Sequence, residues 1–301
     1  MRKILLATTA IVALTSVSAM AADVTISGSH NFIYSNNDKD DPAGEDGNTG
    51  SASELENESD VNINFSNTTD SGITTTLSMG FDEAGRTDDA NATLSSDFGT
   101  LRFVADLGSQ TDDSMVMTFD EAYNKAGEGS GGVSNALSAE AGESISYQLP
   151  SIVDGLTIAV SHTNEDTTES FGYGIRYDAG VAVVQHASVS NNTSDMKTTN
   201  IGANVGAFSL GAEQNKTTTG ATESESTLYG VSYTMDAVTI GFESGTTKDE
   251  SGATTNDYTQ IGVAYTIAEG IAFHITNSEV DDAADDADDV EELELQLKLS
   301  F

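Results

Sequence analysis

The chain ends on Leu293-Glu294-Leu295-Gln296-Leu297-Lys298-Leu299-Ser300-Phe301, in which every second residue is apolar and the residues between are polar or charged. Side chains of a β-strand point alternately to opposite faces of the sheet. The stretch therefore predicts a strand with one apolar and one polar face.

The same alternation recurs from Asp23 onward in sixteen segments, separated by connections rich in Gly, Asn, Asp and Thr. In one segment, Val61, Ile63 and Phe65 alternate with polar residues. In another, 171–177, four large apolar residues alternate with Gly and Arg. Repeated short segments of this kind predict an all-β architecture.

The connections between these segments alternate in length, which predicts that the two ends of the sheet differ. Tight turns are expected at 69–72, 97–99, 150–155, 178–180, 206–207, 236–237 and 268–270. Longer, polar connections are expected at 35–57, 82–89, 108–143, 164–169, 191–197, 215–226, 246–256 and 277–289. Short turns at one end and long loops at the other are typical of an up-and-down membrane barrel.

Strand number decides which face turns inward. Sixteen strands enclose too wide a space for side chains to fill, so an inward apolar face would surround a void. The sequence predicts a sixteen-stranded antiparallel up-and-down transmembrane β-barrel, with its apolar face toward lipid and both termini at the periplasmic rim. A soluble sandwich is the alternative, but one-sided loop lengths are unexpected there.

Composition excludes several function classes. The 301 residues include 11 Lys and Arg against 49 Asp and Glu, a formal charge of −38, and there is no Cys. Nucleic acid is not an expected partner, because its phosphates need a basic surface. Thiolate metal sites and Cys nucleophiles are excluded. The four His fall on separate segments and form no catalytic pattern, so we do not expect an enzyme.

The first 22 residues predict a secretory signal. Arg2 and Lys3 precede an uncharged apolar run, and small residues follow it, so cleavage is expected after Ala21 or Ala22. Loss of the two bases changes the formal charge from −38 to −40. The barrel domain is then expected to comprise residues 23–301.

Three stretches resemble the sixteen-stranded general porins of Gram-negative bacteria, most closely the alphaproteobacterial type: 96–101 (SDFGTL), 144–150 (SISYQLP) and the final strand closing on Phe301. The resemblance implies a homotrimer in the outer membrane, in contact with lipid and lipopolysaccharide. Each protomer would be a passive diffusion pore for ions and small hydrophilic solutes. It also implies that Phe301 is a recognition signal for the barrel-assembly machinery.

The resemblance further implies that the connection after strand five, 108–143, folds into the pore and constricts it. In such porins several Arg residues on the facing wall lie opposite this acidic loop. Here the inward positions of strands two to four hold no basic residue. The acidic loop and the few bases predict a preference for cations. Candidate constriction residues are Asp112, Asp113, Asp120, Glu121, Lys125 and Glu128 on the loop, with Arg86, Arg102, Arg176 and Lys298 on the wall.

Two interpretations of the acidic segments stay open. The run 281–292 and the loop carboxylates Asp112, Asp113, Asp120 and Glu121 are either hydrated or bind Ca²⁺, which prefers clustered carboxylates. No other cofactor is expected. For function, the alternative to a pore is an outer-membrane barrel that acts as an adhesin or structural scaffold without significant conductance.

Overall fold

The fold is one closed antiparallel sheet. The computed structural model describes residues 23–39, 52–82, 87–106, 143–165, 168–282 and 290–301. Each strand pairs with its neighbours in sequence, and the last strand returns to the first. The strands are β1 (Asp23–Lys39), β2 (Ala52–Thr68), β3 (Thr74–Phe81), β4 (Thr87–Ser96), β5 (Gly99–Asp106), β6 (Glu143–Gln148), β7 (Leu156–Glu165), β8 (Thr168–Asp178), β9 (Ala182–Ser190), β10 (Ser194–Val205), β11 (Phe208–Thr219), β12 (Thr222–Met235), β13 (Val238–Lys248), β14 (Thr254–Ala268), β15 (Ile271–Asp282) and β16 (Val290–Ser300).

The apolar face of each strand turns outward. On β8, Phe171, Tyr173 and Ile175 are 57%, 46% and 42% exposed, whereas Gly172 and Gly174 between them are buried on the inner side. Residues paired across neighbouring strands point to the same face, so the inner and outer positions can be followed around the ring. The described inner positions hold mainly Ser, Thr, Asn, Gln, Gly and Glu. Because the sheet closes into a ring, each described strand pairs with a neighbour on both sides. The closed part of the barrel therefore presents no open strand edge to lipid.

The few buried apolar clusters lie on the inner wall rather than in a central core. Leu228 on β12 and Tyr258 on β14 form one such cluster, with Val280 of β15 packed against it. No helix in the described residues is long and apolar enough to span a membrane.

The predicted tight turns all lie at one end of the barrel, which we call the turn rim. The first and last strands begin and end there, so both ends of the described chain share this rim. The turn between β4 and β5 requires glycine at position 99. The φ of Gly99 is 111°, and an added Cβ would collide with the carbonyl oxygen of Gln148. Aromatic side chains flank this rim, where Phe98, Tyr177, Phe208 and Tyr265 are exposed.

Several predicted long connections are shorter in the structure. The connection predicted at 215–226 is a two-residue turn at 220–221, and that predicted at 191–197 reduces to 191–193. Pairing also continues through much of 35–57 and 246–256, and β6 begins at Glu143, inside the predicted constriction loop. Beyond the lipid both faces of a strand are polar, so the alternation that marks a strand disappears while backbone pairing persists.

The wall is uneven in height. β1 and β2 have 17 residues each, whereas β3, β5 and β6 have 8, 8 and 6. The predicted signal at 1–22 lies outside the described residues.

Candidate functional site

The inner wall of the barrel is the candidate functional site, and carboxylates dominate its described ionisable side chains. The pairing register places each of these ionisable residues on the inward face. Each one is paired with an inward residue of every neighbouring strand that flanks it. The inward acids are Asp23, Glu54, Glu56, Glu58, Asp60, Asp178, Glu213, Glu243, Glu292 and Glu294, and the inward Lys and Arg residues are Arg102, Arg176 and Lys298.

The three wall bases are far apart along the ring. Arg102 on β5 lies between Thr93 and Ser146 of the adjoining strands. Lys298 on β16 lies between Ala272 and Asn31.

Arg176 on β8 has an acidic partner on its own strand. Its Nη2 lies 3.1 Å from Oδ2 of Asp178, whose Oδ1 accepts the backbone N–H of Gly180 at 2.8 Å. The guanidinium is therefore tied to the turn after β8. A cavity of about 800 Å³ adjoins this pair at the turn rim, and Gln148 and Asp154 are among its lining residues.

A buried carboxylate on β11, three strands further along the ring, is held by amides. Glu213, 4% exposed, accepts the side-chain amides of Asn200 at 3.2 Å and Asn215 at 2.6 Å. Thr198 in turn donates its hydroxyl to Asn215 at 2.6 Å. Two amide donors thus fix the orientation of one negative charge on the lumen wall.

Four acids of β2 were missed by the sequence analysis, which placed their segment partly in a connection. Glu54, Glu56, Glu58 and Asp60 occupy alternate positions and share the inner face. The sequence does show the period of two that is typical of a strand in this segment. Here the period is formed by carboxylates and not by apolar residues.

The predicted constriction loop lies outside the described residues. Where its acids lie relative to the wall stays a prediction, as does their binding of Ca²⁺. Among the described residues, no three His, Asp or Glu side chains come together in a way that would hold a metal ion. The predicted site residues outside the described part are Arg86, Asp112, Asp113, Asp120, Glu121, Lys125 and Glu128.

A closed ring with an apolar exterior and a polar, charged interior defines the class of protein: a membrane-spanning barrel around a hydrophilic path. The profile of the Gram-negative porin family matches residues 7–285. The chain belongs to the Gram-negative porin family and is an integral protein of the bacterial outer membrane.

Solved structures with the same fold are distant in sequence. The anion-selective porin from Comamonas acidovorans superposes with a TM-score of 0.72 at 15% identity, covering 93% of this chain and 100% of that one. A triple mutant of the Rhodopseudomonas blastica porin gives 0.65 at 15% identity, with the same coverages. A loop-deletion mutant of an outer membrane protein of Vibrio cholerae gives 0.63 at 12%, again with these coverages. No curated protein matches the chain by sequence.

Proposed function

We propose that this porin is a diffusion pore for ions and small hydrophilic solutes that prefers cations. The observation that carries the preference is the inner wall, whose described side chains include ten carboxylates against three Lys or Arg residues, one of them paired with Asp178. At about 0.15 M salt the Debye length is roughly 8 Å, so wall charges still act on ions in the lumen. Cations are enriched and anions depleted there.

The reversal potential across a planar bilayer under a KCl gradient tests this preference. We expect the wild-type protein to show a potential of cation-selective sign that grows as the salt concentration falls. Neutralising Asp112, Asp113, Asp120 and Glu121 to Asn or Gln lowers that potential if the loop constricts the pore. An anion-selective wild type, the behaviour named for the Comamonas acidovorans porin, would overturn the proposal.

Adhesin or scaffold is the second candidate function, and single-channel recording separates it from a pore. A pore gives discrete conductance steps, whereas a scaffold that only displays loops gives none. The continuous polar inner wall favours the pore, because a scaffold has no need of a hydrophilic interior.

We also propose that the protein assembles as a homotrimer, with the barrel-assembly machinery and lipopolysaccharide as further partners. The short strands β3, β5 and β6 support self-association, and the outward positions of this part of the wall carry Leu77, Ala92, Phe103 and Ile145. Chemical cross-linking in the native membrane should give a species of three chains that heating dissociates. A species of one chain under all conditions would contradict it.

A further inference from the structure

The β2 carboxylates form an ordered row, which we call the β2 ladder: Glu54, Glu56, Glu58 and Asp60. The side chains of the last two are placed by contacts with β1: Asn31 donates its amide to Glu58 at 3.5 Å, and Ser29 donates its hydroxyl to Asp60 at 3.3 Å. Leu55, between ladder positions, is 81% exposed on the other face.

The ladder lies at the end of the barrel opposite the turn rim. β3 pairs with β2 from Val61 onward, so within the described residues β1 is the strand that flanks the ladder. The outward apolar residues of β2, Val61, Ile63 and Phe65, lie directly below it. The ladder therefore extends from the edge of the apolar band toward the mouth of the pore.

Spacing along the strand joins the four charges into one negative path. Alternate residues of a strand are roughly 7 Å apart, less than the Debye length of about 8 Å at 0.15 M salt. The potentials of successive carboxylates therefore overlap. Across β1, the inward face of β16 adds Glu292 and Glu294, opposite Asn37 and Ser35.

A second observation points to a cation at the ladder. Asn31, only 7% exposed, uses its side-chain N–H for Glu58, while its Oδ1 is buried without a hydrogen-bond partner. An amide oxygen beside a carboxylate is a pair of ligands that hard cations accept. No group of three His, Asp or Glu side chains forms a closed metal site among the described residues, which favours passage over retention.

We propose that the β2 ladder is the cation entry path of the pore and a main determinant of its selectivity, with the Asn31–Glu58 pair as one contact point along it. This inference rests on the proposed cation-preferring pore and names residues outside the constriction loop.

The test compares two full-length variants with the same change in charge. The ladder variant carries Glu54→Gln, Glu56→Gln, Glu58→Gln and Asp60→Asn. The control replaces four outward acids in the same way. Those outward acids are Asp195, Glu225, Asp257 and Glu279.

Reversal potentials in KCl gradients give the cation-to-anion permeability ratio. We expect a severalfold fall for the ladder variant at low salt, a smaller fall at high salt, and no change for the control. Asn31→Ala should lower the ratio less than the ladder variant does. If the ladder variant does not fold, Glu56→Gln with Glu58→Gln replaces it.

The outcomes separate this inference from the proposed function. A wild-type pore without cation preference overturns both. A cation-preferring wild type whose ratio is unchanged by the ladder variant overturns the ladder alone. An equal fall in the permeability ratio of the control variant also overturns the ladder proposal, because the effect would then come from the change in net charge.

Discussion

Gly28 of β1 and Phe301 at the end of the chain exchange two backbone hydrogen bonds. The N–H of Gly28 donates to the carbonyl oxygen of Phe301 at 3.1 Å, and the N–H of Phe301 donates to that of Gly28 at 3.0 Å. A Cβ placed on Gly28 would lie 2.7 Å from Cζ of the Phe301 ring and 2.8 Å from the backbone oxygen of Asp60. The ring of Phe301 occupies the space that a side chain at position 28 would need.

Gly28→Val should destabilise the closed barrel. Overpacking of this kind costs roughly 1–3 kcal/mol, because the backbone oxygen of Asp60 cannot move aside as a side chain could. The measurement is the temperature at which the heat-modifiable band shifts on a denaturing gel. Ser27→Ala, one position away on the exposed inward face, is the control. Equal transition temperatures for Gly28→Val and the wild type would refute the steric argument.

Deletion of Phe301 should reduce the amount of folded protein in the outer membrane without changing the conductance of each pore that forms. The deletion removes the backbone pair with Gly28 and the proposed assembly signal, but no inward side chain. Folded protein in membrane fractions and single-channel conductance are measured together. Normal folded levels would contradict an assembly role.

Asp178→Asn should shift selectivity toward anions with little effect on stability. The substitution leaves the guanidinium of Arg176 without its carboxylate at the turn rim. Because both side chains are more than a third exposed, the pair contributes at most about 1 kcal/mol to folding. Reversal potential and denaturant unfolding are compared with the wild type. A large loss of stability with unchanged selectivity would show that the pair is structural.

Asp249 should make the turn between β13 and β14 sensitive to acid. The hydroxyl of Ser251 and the N–H groups of Ala253, Ser251 and Gly252 lower the pKa of Asp249 from its ordinary 3.8 despite an opposing desolvation effect. The stabilisation is therefore present above pH ~4 and is lost as the pH falls through the lowered pKa. The protection factors of the Gly252 and Ala253 amides, which compare the exchange rate with the intrinsic rate at the same pH, should fall on acidification in the wild type. In Asp249→Ala these protection factors should already be low at neutral pH, and protection factors unaffected by either change would contradict the prediction.

The closed sixteen-stranded fold was predictable because lipid imposes a strict period of two on the outward face. The run from Leu293 to Phe301 shows that period throughout. Strand length beyond the lipid was not predictable, because Thr217, Glu223 or Glu56 suit a loop as well as a polar strand. For the same reason the β2 ladder was missed. The inward parity of Arg102, Arg176 and Lys298 follows from counting, but the pairing of Arg176 with Asp178 requires coordinates.

The pairing of β1 with β16 also constrains biogenesis. The strand made first finds one of its two partners only when the last residues have been synthesised. A chain released early keeps two unpaired edges, which are templates for association with other chains. Closure of the ring therefore requires β16, and a chain that lacks this strand leaves β1 and its own last strand as open edges.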